Sequence, residues 1–551
     1  MLPLDAGAIS VEGGMGWRIE NEDFVHAIVT LMSLSLIIVA RMQNKTKRIL
    51  DALLISSCLL RVASARAQTM AEPSEGQPRE TSSPETTRST PATGMAVHAP
   101  ILAPQPPMLV AASVASAPPG PASVTSKFSA TIYGFVEADF IRDSTQSFND
   151  LAGNATIAKS GSFAAEHDRM IFGQRNSRLG FKLKGPESEM IKSSGIAEMD
   201  FLGNQPQGSP SPAGSPAVSE SAYFASPTFR IRHMALKLET PIVDVLAGQY
   251  WELFGWQTIY HPNSVQIQGL PGQVFSRAPQ LRLSHLFKSD AVNVEVAVAA
   301  VRPPQRDSGL PDGQAGLRLI LNDWKGMRTA GGAGTSVDPL SVGVSAVARR
   351  FRLPEFANVP VHTQTINGYG VSIDGILPVV PATATNWDNA LTLTASYVRG
   401  QSIADLFTGL TGGVSLTPLP ADSTGKTSSF AMDIDNGLVI FDNGGQMHAI
   451  RWQSVLLGLQ YYLPTSPFRM WVSGNYSHLS SSDIKNIVID NTGSNVKGKI
   501  FDKSDFADGN LFVDATQTIR FGLEYAWFRQ TYLDGVKSPN HRVQFSGFYI
   551  F

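Results

Sequence analysis

The sequence predicts an all-β protein, a 16-stranded antiparallel transmembrane β-barrel that follows a signal peptide and a disordered Pro/Ala/Ser-rich segment. From Ser129 onward, short segments alternate apolar and polar residues between clusters of Gly, Asn, Asp, Ser and Pro. The connections between these segments alternate short with long, as the turns and outer loops of transmembrane barrels do. The final segment, HRVQFSGFYIF, has one apolar face, and an exposed sheet edge of that kind would aggregate. A closed barrel gives this strand a neighbour on both sides.

The overall composition excludes some classes of protein. The 551 residues carry a formal charge of −2 and 16% charged residues, so bulk charge does not indicate binding to nucleic acid. The mean hydropathy of −0.03 is too low for a helical membrane protein. No apolar run after residue 67 approaches the roughly 20 residues that a spanning helix needs. Barrel strands alternate lipid-facing and lumen-facing residues and therefore have such an average hydropathy; a soluble all-β protein is the alternative.

Residues 42–67 have the three parts of a secretory signal. They are a basic stretch that starts at Met42, a mostly apolar run, and an Ala-x-Ala cleavage site that ends at Ala67. Because this signal does not begin at residue 1, we predict that translation starts at Met42 and that residues 1–41 are a misassigned extension. Cys58 is the chain's only cysteine; a lipoprotein signal around it is an alternative, but the Ala-x-Ala site fits better. The mature chain is then exported and contains no cysteine.

The amino-acid composition of the chain changes near residue 127. Residues 68–126 are dominated by Pro, Ala, Ser and Thr, and they cannot bury enough apolar surface to fold alone. We therefore predict a disordered spacer at 68–126 and a β-barrel at 127–551.

Fifteen strands are visible in the alternation, and Gly509–Asp514 is added because barrels of the bacterial type have an even number of strands. The others are Ser129–Arg142, Arg175–Lys184, Ser193–Leu202, Phe229–Glu239, Ile242–Tyr250, Gln280–Lys288, Val292–Val301, Ala315–Asn322, Ser341–Arg349, Asn367–Leu377, Ala390–Arg399, His448–Leu463, Arg469–His478, Thr518–Gln530 and His541–Phe551. Five long connections each follow an odd-numbered strand, a parity that a soluble sandwich has no reason to keep. They are 143–174, 203–228, 251–279, 400–447 and 479–508.

The phase of each strand assigns a set of basic residues to the lumen, opposite the apolar face. A charge on the lipid face near the midplane would cost roughly 2–4 kcal/mol, so this phase is strongly constrained. The lumen set is Arg178, Lys182, Arg282, Arg318, Arg520 and Arg542. The alternative to a pore-lining role is cross-strand pairing with inward acids, for which the candidates are Glu137, Asp139, Glu198 and Asp200. Arg230 and Arg232 share the phase of the apolar Leu236 and Leu238, which predicts that they lie near the rim.

No pattern indicates catalysis or a metal site, and we predict neither enzyme activity nor a cofactor. Gly331-Gly-Ala-Gly-Thr335 is followed by no Lys and lies in no strand-to-helix context, so we expect an extracellular loop rather than a phosphate-binding one. The histidines show no metal-ligand spacing. A ligand-gated receptor would carry a folded plug domain, and residues 68–126 are too short and too Pro-rich to be one.

Four blocks resemble the DcaP-like outer-membrane porins: ATIYGFVEADF, RNSRLGFKLKGP, GQYWELFGWQTIYHPNSVQIQGLPGQVFSRAPQLRLSH and LEYAWFRQTYLDGVKSPNHRVQFSGFYIF. The resemblance covers essentially all of 129–551. It implies a homotrimer in the lipid of the bacterial outer membrane that lets small anionic solutes, such as dicarboxylates, diffuse passively. It also implies that Tyr549 and Phe551 form the signal read by the barrel-assembly machinery. Relatives can carry a periplasmic coiled coil before the barrel; here a Pro-rich periplasmic spacer stands in that place.

Counting strands makes 251–279 the third outer loop, which in trimeric porins folds inward and narrows the pore. The loop supplies candidate constriction residues, which are Trp251, Glu252, Trp256, Tyr260, His261 and Gln268. Arg277 and Arg282 are candidates for an opposing basic wall, and basic rings favour anions. The alternative is that the aromatic residues only pack the loop against the barrel. A non-conducting structural or adhesin-type barrel is the rival function.

If residues 68–126 are a spacer, their removal should leave the barrel folded and its conductance unchanged, because the spacer contributes nothing to the strands. The measurement is conductance in planar bilayers of a truncated protein that still shows heat-modifiable migration. A folded truncation without pore activity would show that the spacer is part of the pore.

Overall fold

The computed structural model describes most of the chain from residue 128 to the end. The described residues are 128–152, 156–186, 188, 190–203, 224–304, 308–331, 334–355, 360–383, 385–408, 437–442, 445–465, 467–487, 498 and 500–551. The extension at 1–41, the signal peptide at 42–67 and the spacer at 68–126 lie outside the described residues, and they stay predictions.

Nineteen strands occur in the described part of the chain. They are β1 (Ser129–Asp143), β2 (Arg169–Gly173), β3 (Arg178–Lys184), β4 (Lys192–Asp200), β5 (Arg230–Glu239), β6 (Asp244–Trp251), β7 (Arg277–Phe287), β8 (Val292–Val301), β9 (Asp312–Ala330), β10 (Gly334–Pro354), β11 (Thr363–Val380), β12 (Leu391–Gln401), β13 (Val439–Phe441), β14 (Met447–Ala449), β15 (Arg451–Leu463), β16 (Arg469–Ser481), β17 (Phe501–Asp514), β18 (Ile519–Tyr532) and β19 (Lys537–Ile550). Short helices span Phe163–Ala165, Ala404–Leu406 and Ile484–Ile487. Within the described ranges, no helix is long and apolar enough to cross a membrane.

These strands close into a 16-stranded antiparallel barrel, which confirms the predicted fold. β2 and β3 pair with successive parts of β1 and together occupy one position of the barrel. β13 and β14 form a separate hairpin in the connection after β12. The first and last strands complete the ring, since β1 pairs with β19 from Phe135 opposite Ile550 to Asp143 opposite Arg542. The terminal strand therefore has β18 on one side and β1 on the other.

Each predicted strand has a counterpart in the barrel, and β9, β10 and β17 differ most in length from the prediction. β9 and β10 extend well beyond the predicted segments, and the Gly-rich stretch that begins at Gly331 connects them at the end with the short turns. The expectation of an extracellular loop there is therefore wrong. β17 begins at Phe501, so the predicted loop 479–508 is too long. The added residues are mostly polar and leave the alternation that marks a lipid-facing strand.

The outer surface of the barrel is an apolar belt, and the inner surface is polar. On β19, Val543, Phe545 and Tyr549 are exposed on the outside, whereas Arg542 and Gln544 are fully buried inside. The same alternation places outward the large apolar side chains Phe140, Leu281, Leu319, Leu457, Phe521 and Leu523. An apolar band outside and a polar lumen are the pattern of a barrel that spans a lipid bilayer. Phe551 follows the last residue of β19, and its backbone N–H donates to Gly134 O at 3.0 Å.

Arg230 and Arg232 do not share the outward phase of Leu236 and Leu238 that the sequence indicated. In the pairing of β4 with β5, Glu198 faces His233 while Met199 faces Ile231, so Arg232 is an extra residue in a β-bulge. The bulge reverses the alternation along β5. Ile231 and Met234 both face outward, and the Arg232 side chain is 1% exposed inside the lumen.

A buried ion pair lies at the seam between the first and last strands. Arg542 donates from Nε and Nη2 to the two carboxylate oxygens of Asp143, at 2.9 and 2.7 Å, and both side chains are fully buried. Arg542 also donates to the backbone carbonyls of Asn149 and Asp150 at 2.6 and 3.4 Å. This one guanidinium therefore joins β19, β1 and the first outer loop.

Asp143→Asn should lower the free energy of unfolding by about 3 kcal/mol, because it takes from the buried Arg542 charge the carboxylate that is bonded to it. The double variant Asp143→Asn/Arg542→Gln should lose less than the single variant, since no uncompensated charge remains. Denaturant unfolding of the barrel in detergent micelles gives both values. Asp168→Asn is the matched control, because it removes the exposed partner of Arg142 and should cost less than about 1 kcal/mol. Equal losses at both sites would contradict a structural role for the seam.

Candidate pore constriction

The segment between β6 and β7, residues 252–276, lies inside the lumen, and we call it the third loop. Its first limb packs on the wall formed by β9 and β10. The ring of Trp256 covers Gly316 and Gly343, where an added Cβ would approach the ring to 2.7 and 2.6 Å. Trp256 Nε1 donates to Val344 O at 3.1 Å, and the Gly255 N–H donates to Ser345 Oγ at 2.8 Å. The two wall glycines thus form the seat for this limb.

The loop then crosses to the opposite wall. Trp471 of β16 donates to Asn263 Oδ1 at 2.8 Å. The Val265 N–H donates to Asn510 Oδ1 at 3.0 Å, and the Gln266 N–H donates to Glu524 Oε2 at 2.9 Å. These contacts hold the middle of the loop to β16, β17 and β18.

The returning limb is held by β15 and by the connection after β12. Ser454 Oγ donates to Gly272 O at 2.7 Å, and the Phe275 N–H donates to Leu406 O at 2.9 Å. The loop is therefore fixed around most of the lumen. The part of the wall that it leaves accessible is formed by β3 to β7, where lumen-facing side chains are partly exposed.

Four arginines meet on this accessible wall, and we call Arg178, Arg230, Arg232 and Arg277 the arginine cluster. Arg232 donates from Nε to Glu198 Oε1 at 2.7 Å and from Nη1 to Asp200 Oδ2 at 3.1 Å. Two of the other members add contacts to the same two acids. Arg230 donates to both carboxylate oxygens of Asp200 at 3.0 and 2.6 Å, and Arg178 Nε lies 3.6 Å from Glu198 Oε1.

Trp251 lies between the arginine cluster and the third loop. The guanidinium groups of Arg277 and Arg232 lie 4.8 and 5.7 Å from its ring centroid, within the range of cation–π attraction. Phe275 and His261 contact the same ring edge-on, at 4.7 and 5.3 Å between centroids. Trp251 therefore fixes the base of the loop beside the cluster.

Gln268 connects the far side of the third loop to the same cluster. Its Oε1 accepts from Arg230 Nη2 at 3.1 Å and from Arg232 Nη1 at 3.5 Å. Among the candidates predicted from the sequence, the structure brings together Arg178, Trp251, His261, Gln268 and Arg277.

The other candidates lie elsewhere in the lumen, most of them with partners. The contacts are Arg282 with Trp251 O, Arg318 with Glu295, Arg520 with Asp514 and Arg542 with Asp143. Lys182 is exposed, and its ammonium lies 4.6 Å from the Tyr133 ring centroid. Tyr260 packs beside Trp256 against Gly343. Arg277 and Arg282 lie on the strand that leaves the loop, on the same side as Trp251.

Two loop residues change their protonation because of burial. The Glu252 carboxylate accepts from Gln314 Nε2 at 2.6 Å, and burial raises the pKa of its carboxyl to about 7. Burial, with Arg328 nearby, lowers the pKa of the His261 ring to about 3. His261 is therefore neutral at physiological pH, and the positive charge near Trp251 comes from arginines.

Sequence reasoning missed Arg230 and Arg232 as members of the site. Their phase places them on the lipid face, and only the bulge at Arg232 turns them inward. The pair of arginines could itself have revealed the bulge. Two arginines on a lipid face would carry a high free-energy cost, so a change of phase was to be expected.

The comparisons with known proteins concern the fold. No protein-family model matches the chain, and no curated protein is detectably similar to it in sequence. Among solved structures, the outer-membrane channel DcaP of Acinetobacter baumannii superposes with a TM-score of 0.53 at 17% identity, over 78% of this chain and 99% of that one. The chain has the fold of this outer-membrane channel.

Other solved porins are more distant. An anion-selective porin from Comamonas acidovorans has a TM-score of 0.43 at 10% identity, over 77% of this chain and all of that one. A trimer form of OmpT from Vibrio cholerae has a TM-score of 0.41 at 11% identity, over 77% and 100%. The resemblance to DcaP-like porins is thus confirmed at the level of the fold, and the barrel with its apolar belt is consistent with the bacterial outer membrane.

Glu252 should make the stability of the barrel depend on pH. Its pKa rises on folding from the ordinary value of 4.5 to about 7, so the folded state binds the extra proton and stability falls as the pH rises through this window. The full loss, reached above about pH 7, is about 3 kcal/mol. Denaturant unfolding in micelles between about pH 5 and 8 should show a steeper slope in the wild type than in Glu252→Gln, which loses the contribution of this one carboxyl. Glu166→Gln, on an exposed loop, is the control and should keep the wild-type slope; a wild-type slope in Glu252→Gln would contradict the assignment.

Proposed function

We propose that the protein is a passive porin of the bacterial outer membrane with a preference for small organic anions such as dicarboxylates. The observation that carries the proposal is the arginine cluster on the accessible wall of the lumen. Four guanidinium groups there face two carboxylates, Glu198 and Asp200, which leaves an excess of two positive charges.

Outside the cluster, two predicted lumen residues have partners other than acids: Arg282 bonds to Gln280 Oε1 and Trp251 O, and Lys182 lies over the Tyr133 ring. Elsewhere in the described lumen, arginines such as Arg318, Arg349 and Arg542 lie against at least one acid each. Positive charge that is already paired contributes little to ion selectivity. In the arginine cluster two such excess charges lie together, which favours an anion in transit there.

Arg277 is the member whose charge the surrounding protein satisfies least. Its Nη1 is buried and receives no hydrogen-bond acceptor from the described residues, and its guanidinium lies 4.8 and 5.5 Å from the ring centroids of Trp251 and Phe275. Arg178 and Arg230 are partly exposed, with 19% and 28% of their side-chain surface accessible. A carboxylate reaching this wall could accept hydrogen bonds from more than one guanidinium group, which favours planar, doubly charged anions.

The proposal includes two partners from the family resemblance. The porin assembles as a homotrimer, and the barrel-assembly machinery reads Tyr549 and Phe551. The outward, exposed position of both aromatic side chains supports the second statement.

The closed structural barrel is the rival function, and one observation favours it. The third loop is buried along most of its length and contacts the wall at both sides of the lumen. Conduction therefore depends on the remaining passage beside β3 to β7.

Arg277→Gln should shift the selectivity of the pore toward cations, because it removes one of the two excess charges. One charge at about 4 Å in water contributes about 1 kcal/mol, so the chloride-to-potassium permeability ratio should fall about fivefold. The measurement is the reversal potential of purified protein in a planar bilayer under a KCl gradient. Arg451→Gln is the matched control: it removes the same charge from an exposed side chain paired with Asp483 at the outer end of β15, and should leave the potential unchanged.

The outcomes separate the parts of the proposal. A wild-type bias toward chloride that Arg277→Gln reduces would support it. A cation bias would leave the porin and reject the anion preference. Folded, heat-modifiable protein that conducts nothing would favour the structural barrel.

A further inference from the structure

The hairpin formed by the ends of β9 and β10 leaves the barrel wall. β9 pairs with β8 only as far as Leu321, and β10 pairs with β11 only from Ser341 onward. Between these points, the two strands pair only with each other, from Lys325 opposite Pro339 to Ala330 opposite Gly334. Leu321 and Leu340 face each other. A short turn that joined these two residues directly would already connect the two wall strands. The hairpin is therefore additional to the wall.

This hairpin docks on the inside of the neighbouring strands, at the end of the barrel with the short turns. Thr329 is fully buried, and its backbone N–H donates to Gln460 Oε1 at 2.8 Å while its carbonyl accepts from Gln460 Nε2 at 3.0 Å. Thr392 Oγ1 donates to Met327 O at 2.7 Å. The hairpin thus lies across β12 and β15 inside the lumen.

Apolar packing extends the contact beyond the hydrogen bonds. Met327 is buried in a cluster with Tyr462, Trp471 and Phe512, and this cluster also contains Val265 of the third loop. The hairpin also contacts β18, where Arg520 donates from Nη2 to Thr335 Oγ1 at 3.1 Å.

The tip of the hairpin bonds directly to the third loop. The Gly331 N–H donates to Pro262 O at 3.2 Å, and Asn263 Nδ2 donates to Gly331 O at 2.6 Å. Arg328 Nη1 donates to His261 O at 3.4 Å. Gly331 has a φ of +57°, a conformation that glycine adopts without strain, and this lets two backbones approach closely.

We propose that this hairpin, residues 322–331 and 334–340, is a brace that holds the third loop in place from the periplasmic end. The middle of the loop, at His261 to Val265, lies between the hairpin on one side and β16 and β17 on the other. Removal of the hairpin would take away the support of this part of the loop and open the space beneath it. The brace therefore determines the mobility of the loop and, on the proposed porin function, the width of the pore.

The sharpest test removes the brace and keeps the wall. Gly326 faces Asp338 in the hairpin register, so residues 327–337 can be replaced by Asn-Gly, a dipeptide that forms a tight two-residue hairpin turn. The readout is a single cysteine in the third loop, Ser264→Cys, which is 3% exposed in the intact protein. Cys58 is replaced by Ser in the same protein, so that a water-soluble maleimide reports on the loop alone.

We expect maleimide labelling of Ser264→Cys to be at least about tenfold faster in the shortened protein, because the rate follows the opening of the buried segment. Unchanged labelling in shortened protein that folds would overturn the proposal. This readout needs no conductance, so it is independent of the proposed porin function.

A second pair of variants covers the case in which the shortened protein does not fold. Gln460→Leu removes both side-chain bonds to Thr329 and keeps the hairpin, and it should increase labelling severalfold. Gln453→Leu is the control on the same strand, because Gln453 contacts Ser480 rather than the hairpin. Equal labelling in the two variants would also overturn the brace.

Conductance then tests the consequence for the pore. If the wild type conducts, the shortened protein should have a larger single-channel conductance and a smaller preference between anions and cations. If the wild type does not conduct, the proposed function fails while the labelling still decides on the brace.

Discussion

The structure depends on the closure of its backbone hydrogen bonds into a ring. In a bilayer no water satisfies an exposed N–H or C=O, so a sheet can span it only when its two edges pair with each other. The pairing of β1 with β19 provides this closure. It also accounts for the polar interior. Each strand turns alternate side chains inward, and with the apolar set outside, the charged and amide side chains gather in the lumen.

Many polar side chains face the lumen, and they are not left to water alone. Much of the lumen is filled by chain that is not part of the wall, namely the third loop and the hairpin formed by the ends of β9 and β10. Their backbone groups are satisfied by wall side chains, for example Gln460 for Thr329 and Asn510 for Val265. Charge is handled in the same way, since Asp143 neutralises Arg542. The arginine cluster departs from this balance and for that reason is the most informative part of the interior.

Sequence alone predicted the wall well and the interior poorly, and the reasons are physical. A strand such as Thr518–Gln530 has lipid on one face, so every second residue must be apolar and the segment is visible without a structure. The hairpin at 322–331 and 334–340 faces protein on its sides and carries no such constraint. The position of the third loop inside the barrel was predictable from counting strands. Its contacts with Gly316 and Gly343 were not, because a glycine that accommodates a ring from elsewhere in the chain has no local signature.

The bulge at Arg232 has a consequence for comparing related sequences. One inserted residue exchanges the two faces of everything beyond it on the strand, so an insertion or deletion of a single residue here would have a larger effect than many substitutions. Two relatives with identical composition in β5 could present opposite charge to their lumens if they differ by this one position. An alignment that closes the gap to gain identity would pair inward residues with outward ones. Comparison within such barrels should therefore be anchored on strand register rather than on residue identity.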